Sequence, residues 1–207
     1  MSESGQATNQ EVASKKPVTV LLCGVGGQGT IRGADLLAHA AMAAGWQVKL
    51  SEIHGMAQRG GAVTTVVRFG EMVASMVVDP GCADHIIAFE TTEALRNLSY
   101  LAVGGNCFVS EETIKPLSVL AGNAEMPINP ADTLLKAGAV LIPAVRLAQE
   151  AGNPKCSNVV LLGVLAQELG FAPELWEEQI ALRLPAHLVE VNISAFRAGF
   201  TYNKQTL

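Results

Sequence analysis

Hydrophobic residues in the first two thirds of the chain fall mainly into short runs rich in valine, isoleucine and leucine. Runs of this kind, bounded by glycine, proline or polar residues, are typical of buried β-strands. We predict strands at residues 17–23, 46–52, 62–69, 72–78, 85–89, 107–110 and 140–142. Only Gly70 and Glu71 separate the third run from the fourth, so these two runs are predicted to form an antiparallel hairpin.

Helical periodicity appears between these runs and dominates after residue 143. Residues 30–44 repeat apolar side chains at helical spacing after a glycine-rich turn. The helix predicted at 159–169 is apolar on almost every side and should be buried. Asn158 precedes it as a candidate N-cap, and Gly170 follows its end. Further helices are predicted at residues 92–101, from Pro173 onward, and at 187–200.

Alternation of strands and helices, followed by helices alone, favours an α/β fold. We predict a Rossmann-like, mostly parallel sheet with an antiparallel hairpin and a C-terminal helical cover. Residues 17–207 are expected to form a single domain. Residues 1–16 are polar and lack the apolar core of a secretory signal, so we expect a flexible N-terminal tail.

Composition and charge narrow the range of functions. Of 207 residues, 49% are hydrophobic and 16% charged, which allows a large core. The net charge of -5 and pI of about 5.4 lack the basic signature of nucleic-acid binding. The apolar-rich segment 27–45 contains Arg32, Asp35 and His39, which argues against a membrane span. We expect a cytoplasmic protein that binds neither nucleic acid nor membrane.

The cysteines are scattered along the chain. Even the closest pair, Cys82 and Cys107, is 25 residues apart, whereas zinc and iron–sulfur sites use closely spaced ligands. We therefore predict no metal site in this chain. Each thiol is expected to be a buried, reduced side chain, and the set is Cys23, Cys82, Cys107 and Cys156.

A glycine-rich turn stands between the first predicted strand and the first predicted helix. Gly24, Gly26 and Gly29 fit the pattern G-x-G-x-x-G, in which glycine permits a tight turn, close approach of a phosphate, and close packing of helix on strand. The helix N-terminus adds an attraction for anions. The candidate cofactor-binding residues are Gly24, Gly26, Gly27, Gln28 and Gly29.

The segment 52–61, EIHGMAQRGG, places an acid, an imidazole, an amide and a guanidinium between glycines. Ordering such a segment is entropically costly and adds little to a core, and polar loops carried by a sheet are common binding surfaces. The candidate catalytic residues are therefore Glu52, His54, Gln58 and Arg59. Glu52 also stands about where a dinucleotide-binding fold places the acid that holds a ribose.

The motif GVGGQG followed by SEIHGMAQRGGAV resembles the gamma-type domain of 2-oxoacid:ferredoxin oxidoreductases. The stretches ADHIIAFETTEALRNL, NVVLLGVLAQELGF and EVNISAFRAGF are similar to the same family. HGMAQRGG is closer to the beta subunits of indolepyruvate ferredoxin oxidoreductases than to the pyruvate enzymes. The resemblance extends from about residue 18 to residue 200 and leaves out the N-terminal tail.

The resemblance implies a small subunit of a heteromeric enzyme that is inactive alone. The enzyme would oxidatively decarboxylate an arylpyruvate with coenzyme A and ferredoxin, forming an aryl-acetyl-CoA. A larger alpha subunit would hold thiamine diphosphate, magnesium and the iron–sulfur clusters, and ferredoxin would be reached through the complex. The glycine turn would accept phosphates of coenzyme A, and Arg59 a carboxylate or phosphate. His54 and Gln58 would orient a group across the subunit boundary, and Glu52 would hold Arg59 or His54 in place.

Two other functions are compatible with the residues. The first is a free-standing NAD-binding oxidoreductase, although no convincing catalytic acid–base pair can be named for it. The second is a non-catalytic, nucleotide-binding interaction module, since fold alone does not determine function. Outside the two motifs, Glu90, Glu93 and Arg96 are expected to line the cleft or, more often, to solvate a helix start, and Arg68 to guard a strand edge.

Overall fold

In the computed structural model, six strands form one sheet in the order β2-β3-β1-β4-β5-β6. The structure describes residues 16–54, 61–115 and 117–202. The strands are β1 (Val18–Val25), β2 (Gln47–His54), β3 (Ala62–Gly70), β4 (Ala83–Ala88), β5 (Leu101–Ser110) and β6 (Val140–Ile142). The helices are α1 (Thr30–Ala43), α2 (Thr91–Asn97), α3 (Leu117–Leu120), α4 (Pro130–Lys136), α5 (Ala144–Glu150), α6 (Ser157–Leu169), α7 (Pro173–Arg183) and α8 (Ala186–Phe200).

β1 lies inside the sheet, between antiparallel β3 and parallel β4. Because β2 is also antiparallel to β3, β2 runs in the same direction as β1. Only β3 runs against the other strands, which confirms the mostly parallel α/β sheet. The hairpin predicted between residues 62–69 and 72–78 is wrong, since β3 forms its hairpin with the preceding strand β2. Residues 72–79 form no strand, and they cannot form the predicted hairpin with β3, because both edges of β3 are already paired.

Residues 71–79 are instead held by side chains of the neighbouring strands. Lys49 Nζ donates a hydrogen bond to the carbonyl of Ala74 over 3.0 Å. Arg68 donates to the carbonyl of Ser75 over 2.6 Å. The expectation that Arg68 guards a strand edge is therefore wrong, since β3 is an internal strand and its arginine binds this segment.

Side chains alternate between the two faces of the sheet, and each face carries its own core. One face, including Leu22 and Phe108, packs against α1 and the C-terminal helices α5 to α8. The other face, including Leu21 and Ile86, packs against α2 and α4. The predicted C-terminal helical cover is thus a layer on one face only. None of the described helices combines the length and apolar content that crossing a bilayer requires.

The details of α6 differ from expectation at its start and agree with it elsewhere. The helix begins at Ser157, so Asn158 lies in its first turn and is not the predicted N-cap. The helix is buried from residue 158 to residue 166, as its apolar composition predicts. Gly170 ends the helix with a left-handed φ of 67°, and Pro173 begins the next helix, both as predicted.

α6 and α8 are in backbone contact, because each has a glycine at the crossing point. A Cβ on Gly163 would lie 2.2 Å from the carbonyl oxygen of Phe196. A Cβ on Gly199 would lie 1.9 Å from the carbonyl oxygen of Val160. Both distances are far inside van der Waals contact, so any side chain at either position forces the helices apart.

We predict that Gly199→Ala destabilises the chain, although alanine favours a helix by about 1 kcal/mol over glycine. Overpacking a core costs about 1–3 kcal/mol, and here the added carbon meets backbone, which cannot rotate away. Urea denaturation measures the change. Ser194→Ala on the exposed side of α8 is the matched control, and equal midpoints for the two variants would refute the close crossing.

Candidate functional site

The two motifs singled out in the sequence meet at the edge of the sheet where β1 ends. β1 leads into the glycine turn at residues 24–29, and Val25 pairs with Ala62, the first residue of β3. The N–H of Gly26 donates to the carbonyl of Gly61 over 2.9 Å. The end of the 52–61 segment therefore contacts the glycine turn, at the edge where α/β sheets bind ligands.

Gln28 folds back into the glycine turn and clamps it. Its side-chain Oε1 accepts the N–H of Val25 over 2.8 Å, and its Nε2 donates to the carbonyl of Phe89 over 2.8 Å. The amide thus ties the turn to the residue that follows β4. Both ends of the amide therefore bind backbone. The cofactor-binding role of Gln28 stays a prediction.

α1 starts at this turn with an N-terminus that no side chain neutralises. Gly29 is the N-cap in a left-handed conformation (φ 82°), and it offers no side-chain cap. The first hydrogen bond within the helix is from the N–H of Gly33 to the carbonyl of Gly29 over 2.9 Å. The N–H groups of residues 30–32 precede it, and the first turn contains no acidic residue. The arrangement favours a negatively charged group at this point.

Three of the four glycines of the turn, Gly24, Gly27 and Gly29, have a specific reason to lack a side chain. A Cβ on Gly24 would lie 2.8 Å from Gln28 Oε1, so the clamp needs glycine there. Gly27 has a φ of 108°, and a Cβ on it would meet open space. The expected packing role of the third glycine is wrong, since Gly29 approaches α6 while Gly33 contacts Leu22 of β1.

The four candidate catalytic residues are described only in part. Gln58 and Arg59 lie outside the described residues. The backbone of His54 pairs with Val63 at the end of β2, and the side chain of Glu52 is exposed two residues earlier. β2 therefore carries both residues toward the edge where the glycine turn lies.

The position of Glu52 does not match an NAD site. In a dinucleotide-binding fold the ribose-binding acid ends the strand adjacent to β1. Here the antiparallel β3 lies between β1 and β2, so Glu52 is two strand spacings, about 10 Å, from β1. This topology argues against the free-standing NAD-binding oxidoreductase.

Two carboxylates at the start of α2 are buried, and the expectation that they solvate a helix end is wrong. Glu90 is fully buried and its carboxylate accepts the N–H groups of Thr92 and Glu93, which caps the helix. Glu93 is 3% exposed and forms an ion pair with Arg96 over 3.0 Å. Burial raises the pKa of Glu93, while the charge of Arg96 opposes that rise. The sequence did not signal this cap, because the preferred N-cap residues are serine, threonine, aspartate and asparagine, not glutamate.

Three of the four thiols are poor candidates for nucleophilic attack. Cys23, Cys107 and Cys156 are buried, as predicted, and Cys82 is partly exposed. Burial raises the pKa of Cys107 to about 12 and also raises the pKa of Cys23 and of Cys156. Because the thiolate is the reactive and metal-binding form, these three side chains are inert near neutral pH.

The fold and this edge define a Rossmann-like α/β domain in which a glycine-rich turn links β1 to α1. A family model described as pyruvate ferredoxin/flavodoxin oxidoreductase matches residues 19–202. The indolepyruvate oxidoreductase subunit IorB of Thermococcus kodakarensis is 40% identical over 201 residues, which cover 93% of this chain and 98% of that protein. The chain therefore belongs to the pyruvate ferredoxin/flavodoxin oxidoreductase family, which confirms the resemblance read from its motifs.

Solved structures share the fold. The gamma subunit of a keto/oxoacid ferredoxin oxidoreductase from Geobacter sulfurreducens has a TM-score of 0.66 at 23% identity, covering 88% of this chain and 96% of that chain. A 2-oxoglutarate:ferredoxin oxidoreductase from Magnetococcus marinus, with coenzyme A bound, has a TM-score of 0.69 at 21% identity. The match covers 90% of this chain but 31% of that one, so the same fold there is part of a longer polypeptide.

We predict that Gln28→Ala loosens the glycine turn without unfolding the chain. The variant loses two hydrogen bonds and leaves the N–H of Val25 without its acceptor, which costs about 1–3 kcal/mol. Hydrogen exchange at the Val25 amide should therefore speed up. Gln47→Ala is the control, because Gln47 Oε1 likewise accepts a backbone N–H, that of Val73, away from the turn. Unchanged exchange at Val25 in Gln28→Ala would contradict the clamp.

Proposed function

We propose that this chain is the small subunit of a heteromeric indolepyruvate:ferredoxin oxidoreductase. The enzyme converts indolepyruvate and coenzyme A to indoleacetyl-CoA, carbon dioxide and a proton, and both released electrons pass to ferredoxin. The observation that carries the proposal is the 40% identity along 98% of a subunit named for indolepyruvate oxidation. The contact between the glycine turn and Gly61 supports it, because it brings both family motifs to one edge.

The catalytic cofactors belong to a larger alpha subunit in this proposal. That subunit holds thiamine diphosphate with magnesium, which supplies the carbanion chemistry of decarboxylation, and the iron–sulfur clusters that reduce ferredoxin. Among the described residues, no group of three or more His, Cys, Asp or Glu side chains is placed to hold a metal ion, which supports assigning the clusters to the alpha subunit. The complex works in the cytoplasm, and this chain is inactive alone.

The contribution of this chain is an anion site for coenzyme A. Coenzyme A carries phosphates, and the N-terminus of α1 offers backbone N–H groups of residues 30–32 with no acidic side chain in the first turn. The open space at Gly27 lets a phosphate approach the backbone of the turn. The site is built mainly from backbone, so it binds and orients the substrate but does not cleave bonds.

The polar residues that follow β2 in the sequence have binding roles in this proposal. In the proposed arrangement Arg59 binds a carboxylate or phosphate with its planar guanidinium. His54 and Gln58 orient a group at the boundary with the alpha subunit, and Glu52 holds Arg59 or His54. The exposure of Glu52 at the end of β2 is compatible with this role.

Co-expression with the thiamine-dependent alpha subunit tests the function. We expect a stable complex that reduces a low-potential acceptor when indolepyruvate and coenzyme A are both present. The chain purified alone should show no turnover and no melting shift with NAD. Failure of the two chains to co-purify, or activity of this chain alone with NAD, would overturn the proposal.

A pair of variants at Gly27 tests the anion site. Gly27→Asn and Gly27→Asp have the same shape and the same backbone strain at φ 108°, and differ only in charge. The carboxylate should raise the KM for coenzyme A about five- to tenfold above that of Gly27→Asn, as expected for like charges a few ångströms apart. The KM for indolepyruvate should be equal in both. Equal KM values for coenzyme A would remove the turn from the coenzyme A site.

A further inference from the structure

Asn158 of α6 reaches the glycine turn from the far end of the chain. Its Nδ2 donates to the carbonyl of Gly29 over 3.4 Å, across 129 residues of sequence. Its Oδ1 accepts the N–H of Val159 over 3.0 Å, so one amide group spans two backbones. The side chain is 8% exposed, and a buried contact of this kind restricts both partners.

The carbonyl of Gly29 is shared between two donors. It accepts the N–H of Gly33 over 2.9 Å, which is the first hydrogen bond of α1, and it also accepts Asn158 Nδ2. A Cβ on Gly29 would lie 2.6 Å from Asn158 Nδ2. The left-handed glycine thus allows the amide to approach the start of α1 closely, and the amide holds the peptide that sets the direction of the first N–H groups.

We infer that Asn158 is a positioning residue for coenzyme A, acting through Gly29 on the anion-accepting N-terminus of α1. The inference rests on the proposed function of the glycine turn. By fixing the carbonyl of Gly29, Asn158 keeps the N–H groups of residues 30–32 directed at one point, as preorganised donors require. The C-terminal helical layer therefore contributes to coenzyme A affinity although its helices are packed against one face of the sheet.

Asn158→Asp in the assembled enzyme tests this role. The substitution keeps the shape, removes the Nδ2 donor and places a carboxylate against the carbonyl of Gly29. We expect the KM for coenzyme A to rise about tenfold with kcat nearly unchanged, because the carbonyl of Gly29 loses one of its two donors and faces a carboxylate instead. Asn158→Ala removes the donor without adding charge and should raise the same KM by a smaller factor.

Asn192→Asp is the matched control. Asn192 of α8 is 7% exposed and its Nδ2 donates to the carbonyl of Leu188 over 2.8 Å, so its substitution carries a similar structural cost away from the turn. Melting temperatures of all variants are measured beside the kinetics. An equal KM rise in Asn192→Asp, or unchanged KM values in both Asn158 variants, would overturn the inference.

The Gly27 pair separates the two possible failures. If Gly27→Asp raises the KM for coenzyme A and the Asn158 variants do not, only the positioning role is wrong. If neither position affects that KM, the turn does not bind coenzyme A, and the proposed function of the turn fails together with the inference.

Discussion

The antiparallel strand β3, placed between β1 and β2, is the constraint on which the candidate site depends. Because β3 starts beside the end of β1, the hairpin that precedes it must close next to the glycine turn. The hydrogen bond from the N–H of Gly26 to the carbonyl of Gly61 follows from that strand register. Two motifs that are separated by about 30 residues in sequence are thereby brought together through their backbone.

The position of β3 between β1 and β2 also distinguishes this domain from a dinucleotide-binding fold, which it otherwise resembles. The turn, the helix N-terminus and the parallel neighbour β4 are all present. The acid that would hold a ribose is moved one strand further away by β3. The fold thus keeps the turn and the helix N-terminus whose backbone N–H groups favour a phosphate, while it lacks the geometry for a nicotinamide dinucleotide.

How far the sequence predicts this molecule depends on the range of the interactions involved. The glycine turn and α6 were predictable, because both depend on local backbone preference and continuous apolar character. The partner of β3 was not, since the run at 72–78 has the composition of a strand and its sequence does not show that β1 and β2 occupy both edges of β3. The clamp at Gln28 was also hidden, because its second partner, Phe89, is 61 residues away.

The buried carboxylates show why charged residues near a strand end are hard to interpret from sequence. Glu90 accepts the N–H groups at the start of α2, and these hydrogen bonds stabilise the helix that packs over one face of the sheet. At the start of α1 the corresponding N–H groups have no such acid. Both helices begin at the same edge of the sheet. The N-terminus of α2 is capped by the carboxylate of Glu90, whereas no side chain caps the N-terminus of α1. That difference marks the N-terminus of α1 as the one able to accept an external anion.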